Sequence, residues 1–264
     1  MRGPGLVLFL LCVSASVGLA AQEPTASQAP QAPQQNPQTA TVPQAPPFLR
    51  RAYAAMTRGA RIKSVALTGS ITAYGTSGNA SSTFSFSADN TGQSRFDIFG
   101  GPSEFRTVSG GMPSGSGIGP GGVSYTVSAQ NPMTISAWFF PALAVAPRLV
   151  ARDYAKSYAG RETQDGIVVN HLQTWEQANG ATADARAAVK RLLVEDIYLD
   201  EMSHMPVLVA FNLHLGNGSR PSVPAQIHFS DYRRVQGCPV AHHIQVYMNG
   251  ALFWDIQLSS VSLN

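Results

Sequence analysis

The sequence predicts an α+β domain in which a large antiparallel sheet curves strongly around a few short helices. From Val65 onward, most segments alternate apolar and polar residues with a period of two, as strands with one buried face do. Only three segments space their apolar residues as helices do, namely 48–58, 133–146 and 183–193. About ten one-sided strands need cover for their apolar face, and a sheet wrapped around these helices provides it.

The first 47 residues are predicted to lie outside the domain. Residues 1–21 have the anatomy of a secretory signal peptide, with an apolar run from Leu6 and small residues that favour cleavage after Ala20 or Ala21. Cys12 raises the alternative of a lipid anchor, but Leu11 stands before it where a small residue is expected. Residues 22–47 consist almost entirely of Gln, Pro, Ala, Ser and Thr, which predicts a disordered linker. We therefore expect a periplasmic or secreted protein with one folded domain at 48–264.

The first half of the domain predicts a helix followed by a meander of strands. Apolar residues at helical spacing in Phe48–Arg58 predict a short amphipathic helix that ends at Gly59. The period then changes to two, and turn-forming residues separate the predicted strands. These strands are Val65–Tyr74, Thr83–Ala88, Gln93–Phe99 and Glu104–Ser109.

A glycine-rich stretch, Gly110–Gly122, is predicted to be a loop. It holds seven glycines in thirteen residues and contains GIGPGG, a formal match to the dinucleotide-binding pattern G-x-G-x-x-G. That pattern needs a strand before it and a helix after it, whereas the strand-like VSYTV follows here. Nucleotide binding is therefore not predicted.

The second half predicts two helices and seven strands. The apolar segment 131–147 predicts a helix that Pro141 kinks, and Ala183–Leu193 carries its larger apolar residues on one face. The dipeptides Asp165-Gly166 and Asn249-Gly250 are typical of two-residue hairpin turns. The predicted strands are Tyr154–Glu162, Ile167–Glu176, Val194–Asp200, Val207–Leu215, Ala225–Val235, Val240–Met248 and Ala251–Leu263.

Composition excludes some classes of protein. Only 12% of residues are charged, against roughly 25% in an average globular protein. The 18 Lys and Arg residues nearly balance the 15 Asp and Glu residues and form no long cluster, which speaks against nucleic-acid binding. Once the signal peptide is removed, Cys238 is the one cysteine left, so no internal disulfide supports the fold.

The combination of Cys238, His242 and His243 suggests a metal site or a thiol enzyme. A structural zinc site needs about four ligands, and neighbouring residues on a strand point to opposite faces, so the two histidines cannot easily share a metal. We therefore predict no metal. Cys238 is assigned to the connection before a strand, with His243 outward and His242 on the Ile244 face.

The sequence carries no pattern that defines an enzyme or a cofactor site. A nucleophile elbow, G-x-S-x-G, is absent from the sequence, and Asp196 and Asp200 are expected to face solvent. We predict no catalytic residues, no cofactor and a non-enzymatic protein. A hydrolase of unrecognised type is kept as an alternative hypothesis, because polar residues lie at the ends of the predicted strands.

Several stretches together resemble one protein family. These are TGSITAYG, GQSRFDIFGGPSEFRTVSGG, IYLDEMSHMPVLVAF and the final FSDYRRVQGCPVAHHIQVYMNGALFWDIQLSSVSLN, with its F-x-D-Y-R-x-V-x-G-x-P hairpin. In this order they are similar to the LolA/LolB superfamily of periplasmic lipoprotein carriers, which includes LppX- and RseB-type lipid-binding modules. The resemblance covers most of 48–264. It implies an incomplete barrel of about 10–11 strands with an apolar cavity for acyl chains.

The resemblance also implies a site. Aromatic and aliphatic residues expected to line the cavity are Trp138, Phe139, Phe140, Phe211, Phe229, Ile244 and Trp254. Arg95 corresponds in position to the arginine that latches the helical lid in family carriers, although the proline that commonly precedes that arginine is absent. The expected partner is a lipid or a lipidated protein, bound for transport or sensing. The alternative is a cell-envelope interaction protein whose core is filled and holds no lipid.

Overall fold

The computed structural model describes residues 47–75, 78–109, 112–119, 122–127, 131, 139–214 and 222–264. The predicted signal peptide and nearly all of the predicted linker lie outside these residues, as does the first part of the predicted helix 133–146, residues 133–138, which includes Trp138. The helices are α1 (Pro47–Thr57), α2 (Pro141–Ala144), α3 (Ala146–Val150) and α4 (Ala183–Leu193). Among them, none has the length and apolarity to span a membrane.

The described residues form one 13-stranded antiparallel sheet. Its strands are β1 (Ser64–Ala73), β2 (Ala80–Asp89), β3 (Ser94–Ile98), β4 (Ser103–Ser109), β5 (Met112–Ile118), β6 (Ser124–Thr126), β7 (Tyr154–Gln164), β8 (Ile167–Glu176), β9 (Glu195–Asp200), β10 (Pro206–His214), β11 (Ser222–Val235), β12 (Cys238–Met248) and β13 (Ala251–Leu263). The spatial order is β6-β5-β4-β3-β2-β1-β13-β12-β11-β10-β9-β8-β7. Two meanders therefore meet where β1 pairs with β13, and β6 and β7 are the outermost strands of the part of the sheet that the structure describes.

The sheet is strongly curved, as predicted. Asn131 hydrogen-bonds to the backbone of His214 on β10 and accepts a bond from Arg106 on β4. Six strands separate β4 from β10 in the sheet order, so one residue reaches both only if the sheet bends back toward itself. The fold is an open half-barrel. Its concave face is apolar because strand residues alternate, as in β1, where Val65, Leu67 and Ile71 are buried.

The prediction of a loop at 110–122 was wrong. Residues Met112–Ile118 form β5, which pairs with β4 and β6. Two of the glycines lie where a residue of the neighbouring segment packs closely against β5. A Cβ atom at Gly117 would collide with the Tyr125 ring of β6, and one at Gly115 would collide with Val127. Glycine is thus required where another side chain lies against the strand, which a count of glycines does not reveal.

Helix α4 does not cover the concave face, contrary to prediction. It has no buried residue, and it contacts Trp175 and His214, whose side chains point to the convex face. The core is instead covered by α1, α2 and α3, where α1 packs on α3 and on β12. Pro141 lies at the start of α2 rather than at a kink, because its missing N–H costs nothing in a first turn.

One local expectation near the C-terminus also changes. Cys238 is the first residue of β12 and pairs with Val235, and the connection is the Gln236-Gly237 turn, in which both φ angles are positive. A register shift inserts Phe253 between the pairs Tyr247–Leu252 and Val246–Trp254, so Leu252 lies on the convex face. The predicted turns Asp165-Gly166 and Asn249-Gly250 are confirmed, with positive φ at all four residues.

A substitution at Gly69 tests the close packing of β1 against β13, where the two meanders meet. It lies at a register shift between β1 and β13, and a Cβ atom there would collide with the backbone oxygen of Gln257. We expect Gly69→Ala to lower the free energy of unfolding by about 1–3 kcal/mol in urea titrations. The control is Gly75→Ala, since the nearest atom to its Cβ would be 3.7 Å away. Equal stability of the two variants would contradict the close approach.

Candidate functional site

The candidate site is the apolar space between the concave face and the helical layer α1–α3. An aromatic cluster lies at its centre: the Phe139 ring lies 5.2 Å from Phe86 and 5.5 Å from Phe96, and Phe96 lies 5.1 Å from Trp254. Phe139 precedes α2, so this cluster joins the helical layer to three strands. Aromatic contacts of this kind add to the burial of apolar area and hold the layer on the sheet.

The structure brings together the predicted cavity residues that it describes. Phe139, Phe140, Phe211, Phe229, Ile244 and Trp254 are all buried members of one core cluster. The four strand residues share the concave face because their positions alternate with polar ones, whereas Phe139 and Phe140 come from the helical layer just before α2. Whether they contact a ligand stays a prediction, and Trp138 lies outside the described residues.

A cavity of about 180 Å³ opens at one end of this space. The ends of β1 and β2 and the turn between β3 and β4 form its walls, with Ile71, Ala73, Ser82, Ile98, Phe99 and Pro102. Phe99 is 83% exposed at the rim. Ile71, Ala73 and Ile98 belong to the core cluster, so the cavity continues the concave apolar face. One local feature marks this wall in the sequence, an aromatic residue followed by Gly-Gly-Pro in a turn.

A buried ion pair ties the helical layer to the sheet. Arg148 of α3 contacts Glu195 of β9, and the Glu195 side chain is 2% exposed. Among the described residues, its Oε1 atom and the neighbouring Thr174 hydroxyl have no hydrogen-bond partner. Burial raises the pKa of Glu195 to about 7, although the Arg148 charge opposes the shift. The layer is therefore fixed by a pair whose strength depends on a carboxyl that titrates near neutrality.

A second polar cluster lies on the concave face near the β6 edge. Arg106 pairs with Glu104, and the Tyr125 hydroxyl donates a 2.8 Å hydrogen bond to the same carboxylate. The Asn131 side chain forms two hydrogen bonds with the His214 backbone: it accepts one from the N–H at 2.9 Å and donates one to the carbonyl oxygen at 3.1 Å. This cluster joins both sides of the half-barrel and was not predicted, since no local pattern places Asn131 beside a residue 83 positions away.

Arg95, the predicted latch, lies on the convex face. Its side chain is 61% exposed and pairs with Asp97 two residues along the same strand, with an N–O distance of 2.7 Å. The arginines on the helix side of the sheet are instead Arg106 and Arg148. The alternation of β3 decides this, because Ser94, Phe96 and Ile98 take the concave positions.

The Cys238–His242–His243 combination is structural in its contacts. The Cys238 thiol is 1% exposed and donates to the Met56 backbone oxygen at 3.2 Å, which ties α1 to β12. Burial raises the pKa of Cys238 to about 11, so the thiolate is disfavoured. His243 lies beside Ser230 and Asp255 on the convex face, and His242 Nδ1 lies 3.4 Å from the Leu258 oxygen. Within the described ranges, no three His, Cys, Asp or Glu side chains converge on a metal position.

An open antiparallel sheet whose apolar concave face carries a thin helical layer defines a class of half-barrel folds. Comparison with solved structures shows that this chain has the LolA-like fold of that class. It is similar to a LolA superfamily protein from Nitrosomonas europaea, with a TM-score of 0.51 and 12% identity over 83% of this chain and 93% of that chain. No protein-family description matches the sequence, and no curated protein does.

Two further structures share the fold. One is a domain from Vibrio parahaemolyticus described as an outer membrane lipoprotein-sorting protein, with a TM-score of 0.53 and 11% identity over 82% of this chain and 91% of that chain. The other is a DUF1329 family protein from Desulfovibrio piger, with a TM-score of 0.52 and 11% identity over 82% of this chain and 93% of that chain. At these identities the likeness concerns the fold.

Proposed function

We propose that this protein is a non-enzymatic binding protein of the periplasm or the secreted fraction, which holds a lipid or the acyl chains of a lipoprotein in its half-barrel. The observation that carries the proposal is the 180 Å³ cavity, which opens at one end and continues into the apolar concave face. Apolar, concave and preformed spaces are where small apolar ligands bind. The lipoprotein-sorting description of the similar Vibrio parahaemolyticus domain supports the same class of ligand.

The size of the cavity indicates how much of the ligand enters without rearrangement. A cavity of about 150 Å³ holds one benzene molecule, so this one accepts a short part of an acyl chain. A longer part requires the helical layer to move away from the sheet, because the Phe84, Phe96 and Phe139 rings follow the cavity along the concave face. The exposed Phe99 ring at the rim gives an acyl chain an apolar surface to contact at the opening.

A second candidate function has its own observation. Phe139 and Phe140 are almost fully buried and fill the centre of the half-barrel. A filled core without ligand fits a cell-envelope interaction protein, in which the sheet faces or edges contact a partner. The two functions differ in one measurable property, the binding of acyl chains.

The test blocks the cavity with a large side chain. Ala73→Trp places an indole in the cavity wall, whereas Ala66→Trp places the same ring on the exposed convex face of the same strand. With a fluorescent hexadecanoic acid as probe, we expect Ala73→Trp to weaken binding by about tenfold or more and Ala66→Trp to leave it unchanged. Circular dichroism and thermal melting confirm that both variants are folded.

Native mass spectrometry of the purified protein, followed by lipid extraction, gives the independent readout. Co-purified acyl lipid supports the lipid-binding function. A protein without lipid that also fails to bind the probe contradicts it and supports the interaction protein.

A further inference from the structure

A second cavity lies beneath α4 at the ends of β7 and β8. Polar contacts hold this helix in place: the Lys190 ammonium lies 4.2 Å from the centre of the Trp175 ring, and His214 Nε2 lies 2.9 Å from the Leu192 oxygen. The Thr182 hydroxyl caps its first turn by accepting from the Ala185 N–H. No residue of α4 is fully buried, and a space remains between the start of the helix and the sheet.

The resulting cavity has a volume of about 220 Å³. Its lining includes the Trp175 ring, the small Ala155, the amide residues Gln177 and Asn179, and Arg186. Trp175 pairs with Ala155 across β7 and β8, so the ring and this small side chain lie side by side in the cavity wall. The space is thus flat on one side and polar around its rim.

Each wall has a defined hydrogen-bonding capacity. One guanidinium nitrogen of Arg186 donates to the Ala181 oxygen, which orients the group, and its other N–H donors remain available for an anion. The amides of Gln177 and Asn179 can donate or accept hydrogen bonds.

We propose that this cavity binds a single pyranose ring that carries a carboxylate. The volume exceeds the roughly 150 Å³ that holds one benzene ring, so it accepts one ring of that size. The indole face suits the C–H face of a sugar, the amides suit its hydroxyls, and Arg186 suits the carboxylate. This site lies outside the concave face and is independent of the proposed acyl-chain function.

The test uses the full chain and three sugars as probes in isothermal titration calorimetry. Glucuronic acid and N-acetylmuramic acid carry the carboxylate, the first as a uronic acid and the second as a lactyl ether, and glucose is the neutral control. We expect saturable binding of at least one acidic sugar, about tenfold or more tighter than glucose, which corresponds to 1.4 kcal/mol. Comparison of the two affinities shows whether the site prefers the carboxylate of a uronic acid or that of a lactyl ether.

Variants assign the binding to this cavity. Trp175→Ala should abolish binding of the acidic sugar, and Arg186→Gln should lower its affinity to that of glucose. The matched control is Arg191→Gln, an exposed arginine of the same helix that does not line the cavity, and it should bind as the unaltered chain does. The proposal is overturned if no acidic sugar binds saturably, if glucose binds as tightly, or if Arg191→Gln matches Arg186→Gln.

Discussion

Replacing Arg148 with methionine should lower the free energy of unfolding by about 3–5 kcal/mol at pH 8, because it leaves a buried carboxylate without its cation. Arg148 is the cation in contact with Glu195, whose side chain is 2% exposed, so the charge that remains is cut off from solvent. The loss should be smaller at pH 5, where Glu195 binds a proton in the folded state. Urea titrations at the two pH values measure the difference, and an equal loss at both would contradict the role of the pair.

The unaltered protein should also lose stability as the pH rises. The pKa of Glu195 is raised to about 7 from an ordinary value of 4.5, so the folded state retains a proton that the unfolded chain has released. The contribution is fully present below about pH 4.5 and is lost as the pH rises through 7, by on the order of 3 kcal/mol. Glu195→Gln should remove this dependence. In the double variant Arg148→Met/Glu195→Leu, an apolar pair should recover most of the stability lost in Arg148→Met.

Truncating Phe139 to alanine should lower the free energy of unfolding by about 3–5 kcal/mol, since the ring is fully buried among other aromatic rings. It joins the helical layer to β2 and β3, and the cavity left behind cannot close around strands already held in a sheet. Thermal and urea unfolding measure the loss. The control is Phe99→Ala, which removes a ring that is 83% exposed and should cost no more than about 0.5 kcal/mol.

Phe139→Ala also bears on the proposed function. If an acyl chain follows the path from the cavity toward the aromatic cluster, the shortened side chain lengthens the space available to it. The fluorescent hexadecanoic acid should then bind at least as tightly as to the unaltered chain at temperatures where both are folded. Loss of binding in a folded variant would show that Phe139 is a contact of the ligand rather than an obstacle.

The candidate site was predictable in part. The alternation of β10 to β13 places Phe211, Phe229, Ile244 and Trp254 on one face, and the structure has them in one buried cluster. The cavity walls were not predicted, because Phe99 and Pro102 belong to a turn whose position depends on the curvature of the sheet. Arg95 is a similar case: its position along the chain matched a known pattern, but one residue of strand register decides which face it occupies.

The sequence by itself determined the local structure: strands of period two, helix α1, the turns at Asp165-Gly166 and Asn249-Gly250, and one apolar face. These features follow from the spacing of neighbouring residues, and backbone geometry converts that spacing directly into faces and turns. Only the tertiary structure decided the pairing of β1 with β13, the place of α4 outside the core, and the contacts of Arg148 with Glu195 and of Asn131 with His214. These arrangements join residues far apart in the chain, and they depend on how the whole sheet curves to bury its apolar face.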